Sequence, residues 1–86
     1  MEHQLFTVRD SKGNCYQPPK AAKTIGEAER MFEAAVNDST KGNFLFEYSD
    51  DFDLYHLGSF DDESGKAKLF DTPRHIVKAI ALKRKQ

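Results

Sequence analysis

Tryptophan is absent from this chain, cysteine occurs once and proline three times. A single cysteine, Cys15, excludes an intramolecular disulfide, so the fold does not depend on an oxidising compartment. Cys15 cannot make a structural zinc site alone, and His3, His56 and His75 stand far apart along the chain. No run approaches the roughly 20 apolar residues that a membrane-spanning helix needs. The opening MEHQLFTVRD lacks the basic region and apolar stretch of a signal peptide. A cytoplasmic protein without membrane attachment is therefore expected. An excess of charge is missing too: 13 Lys and Arg against 14 Asp and Glu leave a net −1. The total lends no support to non-specific attraction for nucleic acid. There is no glycine-rich phosphate loop. Neither acidic loop has the alternating acids, central Gly and terminal Glu of a calcium loop.

What is present suffices for one small domain, residues 1–86, ending in a short basic tail. Seven Phe and three Tyr argue against disorder. A core of this size, built largely from Phe, leaves little volume for an internal ligand pocket.

Local patterns suggest the elements. Residues 3–8, HQLFTV, are β-prone, with Phe6 and Val8 on one face and Leu5 and Thr7 on the other. DSKGN follows as a turn, since Gly and Asn accept positive φ and Asp and Ser bond their own backbone. CYQ resumes an extended segment that Pro18 and Pro19 end. In TIGEAERMFEAAVND, Thr24 and Glu27 have capping-box spacing, and Ile25, Ala28, Met31, Phe32, Ala35 and Val36 form one apolar stripe. Asn37, Asp38 and Gly42 close that helix. NFLFEYS (residues 43–49) reads as a short strand or an irregular loop. DDFD (50–53) is a loop leading into a strand over residues 54–60. DDESGK is a turn with Gly65 in the left-handed region, AKLF continues the hairpin, and DTP breaks it. The last segment, residues 74–85, has both helical spacing and β-branched residues, and is read as a strand. The sum is α+β: a small antiparallel sheet built from two β-hairpins and a final strand, with one amphipathic helix packed on one face.

Charge is distributed unevenly. Residues 72–86 carry five basic side chains and no acid, whereas residues 47–63 carry seven acids and no Lys or Arg. Catalysis finds little footing here. Cys15 with His56 or His75 is a conceivable nucleophile and base, but no signature surrounds them. His56 reads better as a partly buried strand residue. Paired carboxylates need a cleft that so small a chain does not readily build. No cofactor and no enzymatic activity are expected. For single-stranded nucleic acid, Lys20, Lys23, Arg74, Lys83, Arg84 and Lys85 offer charge for phosphates, and Tyr16 and Tyr55 offer rings for base stacking. The acids Asp61, Asp62 and Glu63 offer a different surface, suited to a basic protein partner.

The order of motifs VRDSK (residues 8–12), AAVND (34–38) and LYHLGSFDDESG (54–65) resembles the small nonstructural protein of gokushovirus-type microviruses, phages with single-stranded circular DNA. The resemblance spans most of the chain and carries over no catalytic residue. It implies a non-enzymatic protein of the infected bacterium's cytoplasm that binds single-stranded DNA. Its role would lie in genome replication or in the switch to single-stranded synthesis and packaging. A homo-oligomer, foremost a dimer, would join the basic patches of several subunits, and a viral replication or capsid protein is a conceivable partner. The rival reading is an adaptor that uses the acidic hairpin to bind a basic viral or host protein.

Overall fold

Strand β1 (Glu2–Asp10) turns back into β2 (Cys15–Tyr16) as the DSKGN pattern suggests. In this computed structural model, which describes residues 1–84, the side chain of Asp10 organises the turn. Its Oδ1 accepts from the backbone N–H groups of Lys12 and Gly13, both at 3.0 Å. Asn14 takes the left-handed conformation at φ 54°, which its short polar side chain tolerates. Pro18 and Pro19 end β2 but not the pairing. The chain returns to β1 as β3 (Lys20–Ala22) in a shifted register. The proline pair interrupts a hairpin arm at a sheet edge, where a missing donor breaks no interior ladder bond.

Helix α1 (Ile25–Val36) starts where the sequence places it, with Thr24 Oγ1 accepting from the N–H of Glu27 at 3.0 Å. Ala28, Phe32 and Val36 are buried against the sheet, but Ile25 and Met31 of the same expected stripe remain 42% and 48% exposed. Met31 instead borders a cleft of about 150 Å³ lined by Val8, Pro18, Phe32, Ala35 and Leu45. That is smaller than the roughly 300 Å³ and upward of small-molecule sites. Residues 43–49 are neither strand nor irregular loop. They contain a one-turn helix, α2 (Phe44–Glu47), capped by Asn43, and then a 3₁₀ turn, Ser49–Asp51. Asn43 explains the choice: Nδ2 donates to the carbonyls of Ala35 at 2.8 Å and Asp38 at 2.7 Å, fastening the segment to the end of α1.

Strand β4 (Phe52–Asp61) begins at Phe52, earlier than the loop reading of DDFD allows, because Phe52 enters the core and pairs with Asp10. Alternate residues Phe52, Leu54, His56 and Gly58 are buried, the period-2 signature of a strand with one face covered. The sheet runs β2-β1-β4-β5, antiparallel throughout, with β3 also beside β1. Its centre is irregular. Gly58 has φ 147°, and a Cβ there would lie 2.1 Å from the carbonyl oxygen of Lys68. The registers of β4 with both neighbours shift at this point.

Strand β5 (Ala67–Lys78) runs on through DTP instead of breaking there. Pairing stops at Leu69 and resumes at Arg74, so residues 70–73 form a bulge that accommodates Pro73 at the sheet edge. The final segment is a strand only as far as Lys78. Asp53 pairs with Lys78 as the last rung; the chain then makes a helical turn, α3 (Ala79–Leu82), which buries Ala79 completely. The reading of residues 74–85 as a strand thus holds for its first part and is corrected for the rest, where core burial outweighs β-propensity. Lys85 lies outside the described residues.

The core is Phe6, Ala22, Ala28, Phe32, Val36, Phe52, Leu54 and Ala79. It lies between α1 and one face of the sheet. The architecture is α+β, with two hairpins and one main helix packed on the sheet.

Candidate nucleic-acid interface

Strand alternation decides which side chains reach the opposite face. With Phe6, Leu54 and His56 turned toward the core, Thr7, Asp53 and Tyr55 turn away from it. Cross-strand register then aligns Thr7 with Tyr55, Tyr55 with His75, Arg9 with Tyr16 and Asp53 with Lys78. The result is a row of rings across three strands. Tyr16 and Tyr55 meet edge to face with centroids 5.6 Å apart, and Tyr55 meets His75 in the same manner at 5.3 Å. The Arg9 guanidinium lies 5.3 Å from the centre of the Tyr16 ring and donates to Asn14 Oδ1 at 2.9 Å. Tyr16 is 46% exposed. His75 is held upright by Nε2–H donating to Asp53 Oδ2 at 2.6 Å, which places the proton on Nε2. Beneath the row Thr7 is buried, its hydroxyl donating to the carbonyl of Gln17 at 2.6 Å.

The two tyrosines selected from the sequence therefore stand together. The five of the six cations that fall among the described residues do not. Lys20 and Lys23 are exposed on β3 and just before α1, whereas Arg74 is exposed on β5 at the far edge of the sheet. The Arg74 guanidinium lies 3.6 Å above the Phe70 ring, which in turn meets His56 edge to face at 4.8 Å. Lys83 closes α2: its Nζ donates to the carbonyl of Phe46 at 2.7 Å and sits 4.4 Å above that ring. The backbone N–H of Arg84 donates to Asn37 Oδ1 at 2.7 Å, and its guanidinium lies 3.7 Å from Glu33. Lys23 and Arg84 thus mark opposite ends of α1, a 12-residue helix roughly 18 Å long. No single patch joins these cations.

The acidic hairpin is folded back on itself. Asp62 Oδ1 accepts from the Met1 ammonium at 2.7 Å and Asp62 Oδ2 from His3 Nε2 at the same distance. The ammonium first, and His3 second, hold the Asp62 carboxyl below the usual carboxylate range. Asp61 is lowered chiefly by the N–H of Glu63 and then by the Ser64 hydroxyl. These acids cap their own turn. Cys15 is exposed on β2, while His56 is buried on the other face of the sheet, its Nε2–H shared between Gln4 Oε1 at 2.9 Å and the carbonyl of Gly58 at 3.0 Å. Among the described residues no three His, Cys, Asp or Glu side chains are grouped as metal ligands. No helix among them is long and apolar enough to cross a membrane.

Comparison with family models matches residues 3–82 to the Phage ORF5 protein family. The chain belongs to that family. The match takes in both hairpins, α1 and the whole tyrosine face, so this phage protein carries the row as part of its family domain. No curated protein and no solved structure matches this ORF5-family chain.

Sequence reasoning missed Arg9 and His75 as members of the row and left Lys78 out of the site. A signal for Arg9 existed: Thr7 and Arg9 alternate against the buried Phe6. His75 had none, because its place beside Tyr55 depends on the bulge between Leu69 and Arg74.

Proposed function

We propose that this phage protein binds single-stranded DNA on the open sheet face and performs no chemistry on it. The observation that carries this reading is the Tyr16–Tyr55–His75 row, flanked by Arg9 and exposed Lys78. Flat rings on an open sheet stack on bases of any identity, contributing roughly 1–3 kcal/mol per base. Duplex DNA hides those bases, so single strands are preferred. With a net charge of −1 and few cations at the face, stacking rather than counterion release dominates. The salt slope is correspondingly shallow, about −0.7 per phosphate contact on a single strand. Genome replication, or the passage to single-stranded synthesis and packaging in the cytoplasm of the host bacterium, is the setting in which a phage needs such a protein.

Fluorescence anisotropy of a labelled single-stranded oligonucleotide, titrated at several salt concentrations with duplex as control, tests this. Tyr16→Ala and Tyr55→Ala are each expected to weaken binding by about tenfold, the lower part of the stacking range. Lys83→Ala and Arg84→Ala leave it nearly unchanged, since the Lys83 ammonium lies over Phe46 and the Arg84 guanidinium beside Glu33, away from the tyrosine face. Full affinity in both tyrosine variants removes the face from the site. No binding at low salt overturns the reading.

A further inference from the structure

Stacking is blind to base identity, but the open face carries one group that is not. Asp53 leaves β4 on the same side as Tyr55, two residues on. Its cross-strand partners are both cationic, Arg9 on β1 and Lys78 on β5. Neither neutralises it. The Arg9 guanidinium turns to Asn14 and the Tyr16 ring. Among the described residues the ion-pair partner of Asp53 is His75, and not Arg9 or Lys78. Oδ2 accepts from His75 Nε2–H at 2.6 Å, whereas Oδ1 accepts from no described residue. The Asp53 side chain is 22% exposed, enough for a ligand atom to reach that oxygen.

A free carboxylate oxygen repels phosphate and attracts the N–H groups of a base. His75 brings such groups within reach. An imidazole is narrower than a pyrimidine with its ring substituents. A base covering His75 therefore overhangs the ring at its Nε2 end, where Asp53 stands. Cytosine, adenine and guanine each carry an exocyclic amino group that donates to an acceptor, whereas uracil and thymine present carbonyl oxygens in its place. The one edge N–H of uracil and thymine lies between two carbonyls, which a carboxylate repels. Only a single strand leaves the base edge free for this contact.

We propose that Asp53 is a specificity-determining residue of the open face. Oδ2 orients His75, while Oδ1 accepts from the exocyclic amino group of the stacked base. Amino-bearing bases are thereby preferred over uracil and thymine. Lys78 beside Asp53 stays exposed for phosphate. The inference rests on the reading of this face as a stacking site for single-stranded DNA and adds a base preference to it.

Fluorescence anisotropy with labelled oligo(dC) and oligo(dU) of equal length tests this. The two bases share one ring and differ in the amino group or carbonyl and in the adjoining ring nitrogen. Mildly alkaline buffer keeps cytosine unprotonated and the strands unpaired. Oligo(dC) is expected to bind about fivefold tighter, the lower end for a side chain that reads a base. In Asp53→Asn the amide oxygen keeps His75, and the amide N–H now meets the base, where it suits the uracil carbonyl. The preference then falls to within about twofold or reverses, and Asp53→Ala likewise leaves the two ligands within about twofold of each other. Equal affinity of the unaltered protein for both oligonucleotides overturns the specificity and leaves the stacking function standing; that comparison needs no variant. Binding to neither oligonucleotide overturns both. If the variants weaken both ligands alike, or keep the preference, Asp53 serves only to orient His75 and the proposal fails.

Discussion

The two faces of one sheet follow different rules. On the helix-covered face Phe6, Phe52 and Leu54 are 4%, 4% and 3% exposed and pack against Phe32 and Val36. On the other face the rings of Tyr16, Tyr55 and His75 touch one another and remain accessible. The covered face removes apolar surface from water and supplies stability. The open face holds amphipathic rings in a fixed array by cross-strand packing, the His75–Asp53 hydrogen bond and the Arg9 guanidinium beside Tyr16, which makes it suitable for a ligand that brings its own flat surfaces. A residue's worth in this small domain is thus decided by which side of the strand it leaves.

The largest expected effect breaks the frame that both faces share. Gly58→Ala places a methyl 2.1 Å from the Lys68 carbonyl oxygen and 2.8 Å from the Leu69 Cα, at a φ of 147°. Backbone cannot yield there without separating β4 from β5, so a loss of roughly 4 kcal/mol or more is expected, at the severe end for a single substitution. Urea denaturation measures it; a near-neutral Gly58→Ala would show that the bulge is not held by this close approach.

The next pair sharpens the contrast between faces. Phe32→Ala empties part of the covered core and should lose roughly 3–5 kcal/mol of stability. Tyr16→Ala, on the open face, should lose about 1 kcal/mol or less, as expected for a half-exposed ring with one edge-to-face neighbour. Thermal or urea unfolding of the two variants side by side decides it. Equal losses would mean that Tyr16 belongs to the structural core and not to a recognition surface.

The smallest effect lies at the hairpin tip. Asp61 is lowered from its ordinary value of 3.8, mainly by the backbone N–H of Glu63. A depressed carboxylate stabilises the folded state in full above its unfolded pKa, and this stabilisation is lost as pH falls through the lower folded value. The turn should therefore hold unchanged down to about that ordinary value and loosen only in more acidic solution. An NMR titration of the Asp61 carboxyl carbon measures this. A midpoint at or above the ordinary value would show that the turn does not hold the carboxylate.

Much of this was legible along the chain. Thr24 and the apolar spacing behind it located α1, Asp10 through Asn14 located the first turn, and Gly65 located the second. The tyrosines could be selected as stacking candidates by residue type, and the family resemblance pointed to a phage. Pro18–Pro19 do end β2, though the chain pairs with β1 again as β3. Pro73 reads as a terminator along the chain, yet it lies at a sheet edge, where a proline interrupts pairing without ending it. Lys83 and Arg84 were selected for phosphates by residue type; that the Lys83 ammonium also meets the Phe46 carbonyl and the Arg84 N–H the Asn37 side chain depends on contacts distant in the chain.

By itself the sequence determined the local features: caps, turns, the amphipathic helix and the α+β class. These rest on neighbours within a few residues, whose spacing is written directly in the chain. Only the tertiary structure decided that Tyr16, Tyr55 and His75 form one row, that Lys83 and the Arg84 backbone bond distant segments, and that β5 is left as an edge. Those outcomes depend on strand order and register between distant segments. A bulge at Gly58 changes what faces what across the sheet.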